Sequence, residues 1–452
     1  MDIELALIVD ILLLISSLWL ILQVSKPSIF NPSLWWVALH AYTVTSRLIA
    51  LNRGAESLAV IGIRDARELV NAAIASDVSL LAVVAGTILI SSRTYRVVES
   101  VSARNSGIRL SPRVGQIISI LCLTIGTCAL IEFGYFAIGA RARGIDVSAI
   151  NIGQFEDSSY PITIAGFAVQ GALIQCALRG FNRWTVSLLL ILLALTAFNL
   201  PRSSAVLAIL MAFLIYQTRS SQHTLPLRWT MGLVLLGLVW FVFKPIVGGV
   251  IAGKDLRTVS TDVQDYIETS GDTKGSIDTQ FFDMQATYMA AADEAGRRFY
   301  GATTLPLFYL PIPRFVWPDK PRQNDAALEL STESRQIAQV GMVPTLSGES
   351  YINFGWMGCA VIPFLYILGM QIACRRVSSY DITSAARWVY LIMLISMLQI
   401  FRDGLNSLVL FPLVAYLPLL GWGVISRLLT RGRRTKNISI CCAVHAVNQR
   451  PS

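Results

Sequence analysis

Apolar residues along this chain do not alternate with polar ones. They come in long runs separated by short polar and basic stretches. Eleven runs lie near 5–24, 33–51, 69–90, 114–139, 159–178, 184–200, 203–217, 228–251, 349–373, 387–401 and 404–427. A helix crosses the roughly 30 Å of bilayer hydrocarbon with about 20 apolar residues, and most runs approach that length. In lipid only helices and closed barrels satisfy their own backbone. A barrel would alternate over strands of about ten residues, which "WTVSLLLILLALTAF" does not. The pattern predicts an all-α, polytopic membrane helix bundle of about 11 transmembrane helices. The first stretch, "MDIELALIVDILLLISSLWLILQV", lacks a basic start and a small-residue cleavage site, so it reads as a retained span rather than a signal peptide.

One polar interruption stands apart. It divides the chain into an N-terminal bundle of about eight spans (1–251), a loop or cap (252–348), about three C-terminal spans (349–430) and a basic tail (431–452). A structureless loop of such length is unusual. "TQFFDMQATYMAAADEAGRRF" predicts a helix with Phe281, Met284, Tyr288 and Ala291 on one face. The later segment "LPLFYLPIPRFVWPDKP" predicts a stiff, mostly extended strap, because each proline fixes its own φ and pushes its predecessor towards extended geometry. "GIRDARELV" (62–70) reads as an amphipathic stretch on the bilayer surface, and Pro412 and Pro418 as prolines inside a span.

Charge then orients the bundle. Only 14% of residues are charged, against about 25% in soluble domains, and the mean hydropathy is +0.58. The net charge of +9 lies in short turns and the tail, which argues against nucleic acid as a partner. Arg93, Arg96, Arg104, Arg109 and Arg113 form one basic turn, Arg179 and Arg183 a second, Arg219 and Arg228 a third, and Arg375, Arg376 and Arg387 a fourth. Arg431, Arg433, Arg434 and Lys436 begin the tail. With eleven spans all five segments share one side, which the positive-inside rule makes cytoplasmic. The C-terminus is then inside and the acidic N-terminus "MDIE" outside. The 252–348 loop, with nine basic and thirteen acidic side chains, falls outside. Five of the seven cysteines lie in or beside apolar runs and read as small buried hydrophobes; Cys441 and Cys442 are in the tail.

Polar groups from distant segments are thereby gathered on the outer face. "FNLPRSSAV" places Arg202 in a tight turn, "QIFRDGLNS" places Arg402 and Asp403 in another, and "TLSGESYINFGWMG" places Glu349, Tyr351 and Asn353 at a span entrance. The strap adds Arg314, Trp317, Asp319, Lys320 and Arg322, with Tyr309 before them. Arginine offers a planar fork suited to phosphate oxygens. Lipid headgroups would satisfy any one of these arginines; three together with the strap favour a phosphate or pyrophosphate ligand over headgroups alone.

The order "PRSS", a large external loop ending in "PIPRFVWPDKP", "GESYINFGWMG" and "RDGLNSLVLFPL" resembles the Wzy-type O-antigen polymerases, over roughly the C-terminal 60% of the chain. The resemblance implies a polytopic glycosyltransferase of the GT-C kind in the bacterial inner membrane. Such an enzyme joins undecaprenyl-pyrophosphate-linked oligosaccharide repeat units on the periplasmic face, without metal or cofactor, in lipopolysaccharide biosynthesis. It implies a lipid-linked donor and acceptor, membrane lipids and a Wzz-type chain-length regulator as partners. Arg202, Arg314 and Arg402 would stabilise the departing pyrophosphate. Glu349 would be the first candidate for general base, with Asp319 and Asp403 behind it. Tyr351 and Asn353 would orient sugar hydroxyls, Trp317 would stack on a sugar face, and Lys320 and Arg322 would hold a phosphate or acidic sugar.

Three other readings compete, one of them a structural membrane subunit with no chemistry of its own, against which the clustering of arginines on one face argues. O-antigen ligases share this layout but are expected to use an external histidine, and His40, His223 and His445 all fall elsewhere. A flippase for the same lipid-linked units would carry internal repeats and charges deep in the membrane. No repeat relates the halves, but Arg47, Asp77 and Glu132 do lie within spans. Asp77 is the most transporter-like of the three; its plain reading is a satisfied aspartate in the bundle interior or near a span's end.

Overall fold

The computed structural model describes residues 2–25, 27–54, 63–91, 109–142, 160–199, 202–220, 280–309, 312, 316–319, 344–378, 380–405, 407–408 and 416–429. Among them the fold is all-helical, with a single bridge, Arg109 to Ser384, in place of any strand. The elements are α1 (Ile3–Val24), α2 (Pro32–His40), a π turn (Ala41–Thr45), α3 (Ser46–Asn52), α4 (Ala66–Ser91), α5 (Pro112–Ala142), α6 (Tyr160–Arg179), α7 (Arg183–Asn199) and α8 (Arg202–Ser220). After these come α9 (Gln280–Glu294), a 3-10 turn (Ala302–Thr304), α10 (Pro306–Tyr309), α11 (Leu346–Val377), α12 (Ala385–Asp403) and α13 (Leu417–Leu429).

Five of these helices are long and apolar enough to cross a membrane: α1, α4, the Pro112–Glu132 part of α5, α11 and α12. Four shorter apolar stretches lie at Ile164–Arg179, Arg183–Thr196, Ala205–Ser220 and Leu417–Leu429. The expected second span is α2, the π turn and α3, three pieces that run on without a gap. The run at 228–251 lies outside the described residues. Outward faces are apolar, as on α1, where Leu5, Ile8, Leu12, Ile15 and Trp19 are exposed; lipid covers such a surface without cost, and water does not.

The basic turns converge at one end. The Leu110 amide donates to the Thr383 carbonyl at 2.7 Å, and the Trp422 indole donates to the Ser111 carbonyl at 2.9 Å. Arg219 donates to the Ala177 carbonyl, Arg387 to the Val377 carbonyl at 3.3 Å, and Arg375 to Ser91 Oγ at 3.2 Å. Arg93, Arg96, Arg104, Arg228 and the tail lie outside the described residues.

The other end departs from a simple bundle. Gly355 has φ 62° and ψ −151°, a conformation open essentially to glycine alone. The chain folds back there. Cys359 Sγ lies 3.5 Å from the Ser347 carbonyl oxygen, whereas twelve residues of straight helix would part them by about 18 Å. The expected continuous span at 349–373 is therefore a buried half-helix, 346–354, followed by a long helix from residue 356. Its N-terminus sits inside the protein: Ser347 Oγ bonds Ser79 Oγ at 2.9 Å, about 20 Å along α4 from its first residue.

Helix α9 is inserted rather than laid over the bundle. Phe282, Ala286 and Met289 share a core with Leu48 of α3, Ala72 of α4 and Tyr351. The expected face is only partly the buried one. Tyr288 and Ala291 are buried, but so are Phe282, Asp283, Gln285 and Thr287, while Phe281 and Met284 are half-buried. A helix enclosed on several sides has no single stripe, so its periodicity misplaces the face. The strap also begins differently, with a helical turn at α10, because proline is tolerated in the first turn of a helix. Of "GIRDARELV", residues 66–70 form the start of α4, where Asp65 Oδ1 accepts from the Arg67 amide at 3.0 Å. Pro418 stands in the first turn of α13; Pro412 lies outside the described residues.

A buried ion pair holds α9 in place. Arg47 donates to Asp283 Oδ1 at 3.0 Å and to Oδ2 at 2.6 Å. Burial pushes the Asp283 carboxyl upward, and Arg47 pulls against it. Breaking such a pair strands a charge and costs about 3–5 kcal/mol, while replacing both partners by apolar groups is often neutral. Arg47→Met and Asp283→Leu are each expected to lose that much stability, and the double variant to recover most of it, measured by thermal unfolding in detergent micelles.

Candidate functional site

The folded-back half-helix brings three segments together. Thr345 caps its start, accepting from the Gly348 amide at 3.0 Å. Its end is capped by the loop after α9: the Phe299 amide donates to the Ile352 carbonyl and the Tyr300 amide to the Asn353 carbonyl, both at 3.1 Å. The Gly301 amide donates to Asn353 Oδ1 at 2.8 Å. These bonds satisfy carbonyls that a broken helix would otherwise leave bare.

Glu349 is at the centre and is 1% exposed. Its Oε1 accepts from Thr303 Oγ1 at 2.8 Å, and its Oε2 accepts from the Leu405 amide at 2.5 Å. One carboxylate thus ties the "GESYINFG" half-helix to the loop before the strap and to the "RDGL" turn. Asn353 Nδ2 donates to Thr303 Oγ1 at 2.6 Å and to the Glu349 carbonyl at 2.8 Å. Gly404 permits the approach. Its φ is +83°, and a Cβ there would run into Glu349 Oε2 and the Pro344 carbonyl.

Arg402 and Asp403 stand beside this knot. Arg402 Nε donates to Asp403 Oδ1 at 2.7 Å, Gln399 also donates to Asp403, and the guanidinium lies 4.8 Å over the Phe281 ring. Arg402 keeps a third of its side chain exposed, and Asp403 14%. Tyr351 points elsewhere: its hydroxyl donates to Asp293 at 2.9 Å, Arg298 lies over its ring and Trp356 stands edge-on to it.

The structure therefore joins Glu349, Asn353, Arg402 and Asp403 in one region. It engages Asn353 in buried hydrogen bonds and the Tyr351 hydroxyl in a part-buried one to Asp293. Trp317 and Asp319 are exposed on the strap. Trp317 packs edge-on against Tyr309 at 5.9 Å, and Tyr309 follows Thr303 by six residues. Arg202 opens α8. Arg314, Lys320 and Arg322 lie outside the described residues.

Sequence reasoning missed Thr303, Gly404, the Leu405 amide and the Arg47–Asp283 pair. Gly404 had a signal, a glycine just after a helix. Arg47 had one too, since an arginine in an apolar run needs a partner; nothing local named a partner 236 residues away. The buried polar side chains Asp10, His40 and Asp77 were also not recognised as neighbours. His40 Nε2 is 2.7 Å from Asp10 Oδ1 and 3.5 Å from Asp77 Oδ1.

No protein-family model matches the chain, and neither a curated protein nor a solved structure matches it.

Gly404→Ala and Glu349→Gln both attack the knot. The first adds backbone strain and expels the carboxylate; the second places an amide donor opposite either Thr303 or the Leu405 amide. Each is expected to lose about 1–3 kcal/mol of stability, read as a lower melting temperature of the purified protein.

Proposed function

We propose that this chain is a polytopic glycosyltransferase that polymerises lipid-linked oligosaccharide repeat units on the periplasmic face of a bacterial inner membrane. The observation that supports it best is the hydrogen bond from Leu405 to Glu349. It joins the two segments, "GESYINFG" and "RDGLNS", on which the resemblance to repeat-unit polymerases rests in the C-terminal spans.

In this reading the acceptor hydroxyl oxygen attacks the anomeric carbon of the donor chain. The bond from that carbon to pyrophosphate breaks, and the lipid pyrophosphate leaves with the electron pair. Arg402 is suited to meet that charge, being partly exposed at the edge of the knot. Arg202, Arg314, Lys320 and Arg322 would supply further cations from α8 and the strap. Glu349 is then a positioning residue, since both its oxygens hold protein groups. The proton of the acceptor hydroxyl passes to a carboxylate that reaches it, and Asp319, exposed on the strap, has that access. Trp317 beside it offers a face for sugar stacking.

The test is complementation of cells lacking the chain, with surface polysaccharide resolved by size. Arg402→Ala and Arg314→Ala are expected to leave a lipid core carrying one repeat unit and no ladder, with the protein present in the membrane at wild-type level. Arg402→Lys is expected to shorten or deplete the ladder, because an ammonium cannot make the bidentate contact. A full ladder from both alanine variants would overturn the reading. Loss of even the single unit would point to transport or ligation of the lipid-linked sugar instead.

A further inference from the structure

A second polar centre lies away from the knot, where α1, α2 and α4 meet. Asp10 is 0% exposed, His40 1% and Asp77 6%. One ligand atom from each lies within 4.8 Å of the others. The π turn begins directly after His40. A π turn closes residue i onto i+5, so Thr45 comes round to the face of His40. The Thr45 hydroxyl is buried beside Asp10; it, Asp10 Oδ2, His40 Nδ1 and Asp77 Oδ1 close no hydrogen bond of good geometry, although Asp77 Oδ1 stands 3.5 Å from His40 Nε2.

Four such atoms in one place are costly, and in native proteins they signal a missing water or ion. Charge decides between them. Asp10 and Asp77, when ionised, carry two negative charges in a region enclosed by apolar helices, and a protonated His40 between them would cancel only one. The only arginine or lysine in α2, the π turn and α3 is Arg47, and Asp283 engages it on two nitrogens. A water would satisfy hydrogen bonds but leave the charge. A divalent cation cancels it.

We infer that Asp10, His40 and Asp77 form a binding site for a divalent transition metal of the Zn2+ type, which cross-links α1, α2 and α4. The donor set favours such an ion. An imidazole nitrogen suits zinc and its neighbours, whereas calcium takes six to eight oxygens and magnesium retains several waters. Donors at about 2.0–2.1 Å from a tetrahedral ion stand about 3.3 Å apart; the 3.5 Å between His40 and Asp77 fits this, and the 2.7 Å hydrogen bond between His40 and Asp10 opens to admit the ion. Asp10 Oδ2 or Thr45 Oγ1 supplies the fourth donor. The site does not depend on the glycosyl-transfer reading: it would clamp the first three spans whatever the knot does.

The experiment uses the full chain in detergent micelles, its affinity tag removed, with Cys441→Ser and Cys442→Ser so that tail thiols take no metal. After chelation the protein is titrated with Zn2+ and desalted, and bound metal is counted by elemental analysis. One equivalent per chain is expected, with affinity at least tenfold weaker for His40→Ala and Asp77→Asn. Co2+ in the same protein is expected to give the visible d–d bands of a four-coordinate nitrogen and oxygen site, without thiolate charge transfer. Asp77→Asn is nearly isosteric, and the Co2+ spectrum needs no substitution at the site, so a folding failure of His40→Ala leaves both readouts standing. Well below one equivalent in the parent protein, or undiminished binding in Asp77→Asn, would overturn the site and leave water or shared protons at the cluster.

Discussion

A helix that ends inside a bundle must have its loose backbone groups met by protein, because neither lipid nor packed side chains offer hydrogen bonds. The break at Gly355 creates that demand, and much of the end opposite the basic turns follows from meeting it. Thr345 closes the start of the half-helix, and the amides of Phe299, Tyr300 and Gly301 close its end. Those amides belong to the loop leaving α9, so α9 must sit within the bundle. The Arg47–Asp283 pair keeps it there.

The same demand explains why the polar residues of "GESYINFG" are buried. Glu349 and Asn353 form a compact hydrogen-bonded unit with Thr303, Gly301 and Leu405. Gln285 extends a second layer beneath it, donating to the Ala72 carbonyl at 2.9 Å and Ser76 Oγ at 3.0 Å and accepting from Thr345. Buried polar networks are stable when every member is satisfied, and they then specify one arrangement. Other side chains of this end have different neighbours: Arg402 at the edge is half-buried, and Trp317 and Asp319 on the strap are exposed.

The two polar centres differ in kind. Around Glu349 both carboxylate oxygens have donors within the protein. Around His40 several atoms have none, although the residues are as deeply enclosed. The first is complete as a structural unit and the second is not, which is why a ligand is called for at the second.

Much of the architecture was legible because lipid imposes a coarse rule: long apolar runs must be helices, and basic turns gather at one end. Among the described residues the runs are helices, and Arg109, Arg179, Arg219, Arg375 and Arg387 mark segments that meet at one end. The association of "GESYINFG" with "RDGLNS" was visible only as a shared polar character, not as a contact. What the chain's order of residues could not disclose was the fold-back at Gly355, the burial of α9 on several faces and the partners of Arg47 and His40. A run of apolar residues does not report where its backbone turns, and hydrophobic periodicity marks one face of a helix, not enclosure on several. By itself the sequence determined helices, their composition and the sidedness of charge, since these depend on local pattern against a uniform solvent. The tertiary structure alone decided which buried charges meet, because ion pairs and hydrogen bonds across hundreds of residues depend on where helices end and which faces they present.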